Sequence, residues 1–175
     1  MKSTKNILFA FLLTSGLAHA DLGDKLERTW EESTGISKIY GGFSSEATNF
    51  GLSHERRQGS LGVDALIIQT GDNGENAVGQ ADEKTMLGAS LIHHLEDNSR
   101  ADVYLGTGIA ATYQEDVNGT SQDETTYGPL FRIGSSYYLN NDWSVGLEYM
   151  AALNWTSDKL PSESTYGFLT LGYTY

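Results

Sequence analysis

The sequence predicts an all-β fold: an eight-stranded antiparallel transmembrane β-barrel behind a short N-terminal amphipathic helix. Three observations lead there. The last ten residues alternate, with Leu169, Leu171, Tyr173 and Tyr175 on one side and Phe168, Thr170 and Thr174 on the other. A strand with one greasy face, ending on an aromatic residue, suits the closing strand of a membrane barrel. At the other end, Lys2 and Lys5 precede an apolar run from Ile7 to Leu13, and Ala18-His19-Ala20 follows. That is the charged region, apolar stretch and A-x-A site of a secretory signal peptide. Between the two ends, apolar residues recur with period two in segments near the ~9–11 residues that a tilted membrane strand needs.

Composition narrows the function classes. Cleavage after Ala20 leaves 155 of the 175 residues, enough for one domain. With Lys2 and Lys5 removed, nine basic residues stand against 23 acidic ones, a net charge of −14. Such acidity argues against nucleic acid as a partner. It also argues against simple attraction to anionic headgroups. The chain has no cysteine, so it has neither a disulfide nor a lipoprotein anchor. After the signal, apolar runs such as Ala65 to Ile68 are far shorter than the roughly 20 residues of a membrane helix. Ten tyrosines, 20 glycines and two prolines suit a barrel wall better than a helical domain.

The expected organisation is a signal peptide over 1–20, a periplasmic amphipathic helix over 21–35 and the barrel over 36–175. In the helix, Leu22, Leu26 and Trp30 share one face, and Gly35 is placed to cap the C-terminal end. The first two strands, about 36–45 and 48–56, carry the weakest patterns. The third, about 60–70, sets Leu61, Val63, Ala65 and Ile67 on one face; the fourth, about 84–95, does so with Leu87, Ala89, Leu91 and Leu95. The fifth, about 101–114, carries Val103, Leu105, Ile109, Ala111 and Tyr113; the sixth, about 127–139, carries Tyr127, Phe131, Ile133, Tyr137 and Leu139. The seventh, about 142–155, alternates most cleanly, from Trp143 through Leu147 to Trp155. The eighth runs from about 164 to Tyr175. Short connectors at 96–100 and 140–142 alternate with long ones at 71–83, 115–126 and 156–163, as periplasmic turns and outer loops do. An even strand count requires a very short outer loop near Glu46 to Asn49. Trp143, Trp155, Tyr173 and Tyr175 sit at strand ends, where interfacial aromatic girdles form.

The stretch from Gly134 to Tyr149, with Asn140-Asn141-Asp142 at its turn, resembles a periplasmic hairpin of the small eight-stranded outer-membrane barrels of the OmpA transmembrane-domain and OmpX/Ail type. The terminal strand from Tyr166 to Tyr175 resembles that family too. The resemblance implies a Gram-negative cell outer membrane, with the closing strand presented to the barrel-insertion machinery. It covers architecture better than activity.

The second face of the strands should line the lumen. It carries Asp64, Asp102, Arg132 and Glu148, with small residues such as Gly106, Gly134, Ser136 and Gly146 between them. Eight strands leave an interior that side chains fill. A charge there must be paired. Arg132 and Glu148 lie on adjacent strands across the 140–142 turn, which makes them the expected interior ion pair. Their role is either an ion gate or, as the favoured reading, part of a polar core that plugs the barrel. His54, His93 and His94 are poor catalytic candidates: His93 and His94 are adjacent and point to opposite faces. Thr29-Trp30-Glu31-Glu32 faintly resembles the leader of the lipid A palmitoyltransferase barrel. That enzyme's histidine and Asp-Ser pair have no counterpart, since Asp72 is followed by Asn73, and the His-x-Ser-Asn element of the lipid A deacylase is missing. Asp72, Glu75, Asp82 and Glu83 in one outer loop, and Glu115, Asp116, Asp123 and Glu124 in the next, read as solvated acidic loops.

The expected function is a structural or surface-interaction role in the outer membrane, without enzymatic activity, cofactor or metal. The alternatives are a lipid A-modifying enzyme, acyltransferase or deacylase, and a narrow channel. The expected partners are outer-membrane lipid and lipopolysaccharide and the insertion machinery, around a monomeric chain.

Overall fold

In the computed structural model the described residues are 33–43, 47–72, 83–95, 100–115, 123–156 and 162–175. The expected signal peptide and nearly all of the expected helix fall outside them. Eight strands follow in order: β1 (Thr34–Phe43), β2 (Ala47–Gln58), β3 (Leu61–Asp72), β4 (Lys84–His94), β5 (Ala101–Gln114), β6 (Glu124–Tyr138), β7 (Trp143–Leu153) and β8 (Glu163–Thr174). Each pairs antiparallel with its neighbours in sequence, and β1 pairs with β8, so the sheet closes into a barrel with no edge. The span 36–56 forms two strands, with only 44–46 between them, which supplies the even strand count.

The period of two sorts the side chains. Outward positions keep large apolar groups in the open: Leu61 is 63% exposed, Leu91 65%, Ile109 71% and Leu169 63%. A water-soluble barrel would turn polar groups outward here. A continuous apolar wall of this kind belongs in a hydrocarbon layer. Inward positions are buried, including Phe168, Thr170 and Thr174 of the closing strand.

One end of the barrel carries the start of β1, the end of β8 and the tight turns. Between β2 and β3 the chain reverses through Gly59 and Ser60; Gly59 has φ +60°, which a residue without a side chain adopts at no steric cost. Between β6 and β7, the Asn140 side-chain oxygen accepts from the backbone N–H groups of Asp142 (2.9 Å) and Trp143 (2.8 Å). That Asx turn explains why Asn140-Asn141-Asp142 reverses the chain tightly. The other end carries Asp72 of β3, Lys84 of β4, Gln114 of β5, Glu124 of β6, Leu153 of β7 and Glu163 of β8, which the longer connectors join.

The seam between β1 and β8 runs from Gly41↔Leu169 to Ile36↔Thr174. It is finished by two backbone hydrogen bonds, Gly35 N–H to Tyr175 O and Tyr175 N–H to Gly35 O, each 2.9 Å. The sequence placed Gly35 as a helix cap, but it lies inside β1, opposite Arg56. Its lack of a side chain serves packing instead: a Cβ there would come within 2.8 Å of the Tyr175 ring.

Candidate functional site

Among the described residues, the lumen is where charged groups are gathered away from water. Inward alternation brings Lys38 from β1, Glu55 and Arg57 from β2, Asp64 from β3, His94 from β4, Asp102 from β5, Arg132 from β6 and Glu148 from β7 into the half nearer the tight turns. All are at most 4% exposed. Such charges hold only as a connected network.

Arg132 is the hub of the central layer. Its Nε donates to Glu148 Oε1 at 2.5 Å, one Nη donates to Asp64 Oδ1 and to Ser90 Oγ (2.9 Å), and the other donates to Tyr40 Oη (2.8 Å). In register Arg132 stands opposite Met150, and Glu148 opposite Gly134, so the pair meets on a diagonal. The second oxygen of Glu148 accepts from Tyr104 O–H at 2.6 Å. The Tyr104 ring occupies the space beside Gly134, where even a Cβ would collide with it.

Nearer the turns, the His94 ring is held between two carboxylates: Nδ1 lies 2.6 Å from Asp102 Oδ2, and Nε2 lies 2.6 Å from Glu55 Oε1. With both carboxylates ionised, both contacts are hydrogen bonds only if both ring nitrogens carry hydrogen, which makes the ring an imidazolium. Arg57 donates to Asp102 (3.0 Å) and to the Gly59 carbonyl (2.9 Å). Lys38 Nζ lies 3.4 Å from Glu55 and 4.2 Å from the Tyr104 ring centre. Glu55, Asp64, Asp102 and Glu148 then face Lys38, Arg57, His94 and Arg132. With this count the cluster is neutral, as a low-dielectric interior requires.

Both nitrogens of His94 are engaged by carboxylates, and the ring is sealed from solvent. His93 and His54 face outward; His54 Nδ1 lies 3.3 Å from Ser37 Oγ and 3.4 Å from Tyr175 Oη. Among the described residues, no group of three or more His, Asp or Glu side chains is arranged to hold a metal ion.

Beyond the charged cluster, toward the long connectors, the interior differs from the expected polar core. Leu66, Ile68, Met86, Leu130 and Met150 form an apolar layer there, each at most 5% exposed, together with Tyr166 and Phe168. The Phe168 ring packs edge-on against Tyr40 at 5.3 Å and stacks on Tyr166 at 6.0 Å. The charged cluster therefore occupies the half of the lumen nearer the turns, an apolar layer lies beyond it, and the buried polar side chains of Asn49, Thr70, Thr112, Gln114, Thr126 and Asn154 lie nearer the long connectors. On the exterior, Trp143, Tyr173 and Tyr175 form one patch at the turn end, with Trp143 and Tyr173 5.0 Å apart and Tyr173 and Tyr175 6.2 Å apart. Trp155 stands 72% exposed at the other end.

Sequence reasoning reached Asp64, Asp102, Arg132 and Glu148 but not Lys38, Glu55, Arg57 or the role of His94. The signal in β2 was masked because Glu55, Arg56 and Arg57 are consecutive, so both faces carry charge there.

The architecture has solved counterparts. The N-terminal β-barrel domain of Pseudomonas aeruginosa OprF superposes with a TM-score of 0.66 at 11% identity, over 82% of this chain and 100% of that one. Neisserial surface protein A gives 0.60 at 16% identity, over 81% and 94%. The attachment invasion locus protein Ail of Yersinia pestis gives 0.56 at 14% identity, over 83% and 99%. The fold is that of the small eight-stranded outer-membrane barrels. No protein-family model matches the sequence, and no curated protein matches it. The likeness thus lies in the closed eight-stranded frame.

Proposed function

We propose that this outer-membrane barrel is a closed scaffold with a structural or surface-interaction role, and neither an enzyme nor a channel. The observation that carries this reading is the filled lumen. A network of matched buried charges occupies the half nearer the turns, and an apolar layer that includes Leu66, Ile68, Leu130, Met150 and Phe168 crosses the lumen beyond it. An ion crossing it would have to shed its water against side chains that offer nothing in return. In this reading the tight turns and both chain ends face the periplasm. The long connectors, with Glu83, Glu115, Asp123 and Glu124 at their bases, face outward as an acidic surface. The partners are outer-membrane lipid and lipopolysaccharide, the insertion machinery during assembly, and whatever the acidic loops meet outside. The chain works as a monomer.

Two measurements test the proposal. Purified protein in planar bilayers is expected to give no discrete conductance steps, and lipid A mass spectra are expected to be identical in cells with and without the gene. Steps that respond to substitution of Leu130 or Met150 would make the protein a channel. A lipid A species gained or lost by an acyl chain would make it an enzyme.

A further inference from the structure

The outward wall of β4, β5 and β6 carries a groove of about 600 Å³ near the long-connector end. Its shape follows from register. Leu87, Ala111 and Tyr127 form one cross-strand row, and Ala89, Ile109 and Pro129 form the next. Large and small residues therefore alternate in both directions. Ala89 and Ala111 are diagonal neighbours along the strand tilt and leave a trough. Ile109, Tyr127 and Leu87 stand beside it, 71%, 58% and 55% exposed, and Trp155 closes the end at 72%.

Pro129 deepens the trough. It has no N–H, and the ladder between β6 and β7 begins only beyond it, at Leu130↔Ala152. Tyr127 is tied to the connector after β7 by its carbonyl, which accepts from Trp155 N–H at 3.1 Å, and its own N–H donates to Thr156 Oγ1 at 3.0 Å. This off-ladder linkage holds the Trp155 side of the groove in place. The walls are almost wholly apolar, and the polar Thr156 sits at the outer rim.

We propose that this groove binds one acyl chain of a lipid A molecule. The proposal rests on the outer-membrane placement above. The groove is continuous with the apolar exterior that contacts hydrocarbon, so the surrounding medium is lipid chains and not water or a soluble partner. It opens toward the long-connector end, the side of the outer leaflet, where the lipid carries acyl chains on a lipopolysaccharide headgroup. An aromatic residue at its mouth and a hydroxyl at its rim match a chain entering from the interface, with the headgroup above Trp155. An ordinary convex barrel wall solvates lipid without preference. A trough walled on both sides removes the chain's rotamer freedom once and holds it by contact along its length.

Native mass spectrometry of the detergent-solubilised full-length protein tests this, with hexa-acylated lipid A and dipalmitoyl phosphatidylethanolamine as separate probes. The expected result is one retained lipid A per barrel. Ala89→Leu/Ala111→Leu, which fills the trough, is expected to lower retention about tenfold, the change that ~1.4 kcal/mol of lost contact produces. Leu91→Ala, which lies on the same strand outside the groove, is expected to retain lipid A as the natural protein does. Heat-dependent gel migration of each sample shows that the barrel is folded, so a folded barrel that retains no lipid overturns this proposal and leaves the scaffold reading standing. Equal retention in the filled variant, equal retention of the phospholipid, or a groove-dependent dimer of this chain would each overturn it as well.

Discussion

Arg132→Met is expected to destabilise the barrel more than any other single lumen substitution. The guanidinium serves two buried carboxylates at once, Asp64 and Glu148, and also donates to Ser90 and Tyr40. Removing it leaves both carboxylates inside without their hub cation. Breaking a buried ion pair by deleting one partner costs on the order of 3–5 kcal/mol. That is a large share of the 5–15 kcal/mol by which proteins are usually stable. Glu148→Gln is expected to cost less, because Arg132 keeps Asp64 and the amide keeps the shape. The triple variant Asp64→Asn/Arg132→Met/Glu148→Gln is expected to recover much of the loss, since no unpaired charge remains buried. Urea midpoints of the refolded protein, followed by tryptophan fluorescence in micelles, give the ranking. Midpoints unchanged by Arg132→Met would mean that water or ions, and not this residue, neutralise the interior.

Deleting Leu171 to Tyr175 is expected to abolish assembly altogether. These five residues pair with β1 from Ile36 to Ile39 and with β7 from Trp143 to Val145, and Tyr175 makes the last two backbone bonds to Gly35. Without them the barrel has two open edges at the turn end. Each backbone group left unpaired in hydrocarbon costs several kcal/mol, and a bilayer offers no alternative partner. The deletion also removes Tyr173 and Tyr175, half of the aromatic patch around Trp143 and His54. The expected outcome is degradation in the periplasm. A truncated protein that still migrates in a heat-dependent way from the outer membrane would show that the barrel closes through other contacts.

The wall of the barrel was legible in the sequence, while half of the lumen was not. The bounds of β5 follow directly from the pattern between Ala101 and Gln114, because Val103, Leu105 and Ile109 alternate with Gly106, Gly108 and Ala110. The other strands end within three residues of expectation. β1 was weak because Ser37, Lys38, Gly41 and Gly42 leave neither face plainly apolar, although all ten of its residues pair with β2 and those from Ile36 to Gly41 pair with β8. The apolar layer went unread for a specific reason. In β3 the alternation from Leu61 and Val63 leaves Leu66 and Ile68 on the lumen side, but Ala65, Leu66, Ile67 and Ile68 are consecutive, so the run is apolar on both faces and does not mark an inner apolar layer. Leu66 and Ile68 are buried there, at 5% and 0% exposed. The His94 site needed register, since Glu55 and Asp102 come from two other strands and lie 39 and 8 residues away in sequence. That His93 and His94 face opposite ways was readable; what His94 would meet was not.

The measurement closest to the central claim is gel migration of the outer-membrane fraction, with and without heating. A barrel closed by β1 on β8 and filled on the inside resists SDS at room temperature and runs faster than its unfolded chain. The expected result is a fast band before heating that shifts to a slower one after it, from protein that sediments with outer membranes. A protein recovered from the soluble periplasm, running at one position under both conditions, would contradict the closed membrane barrel.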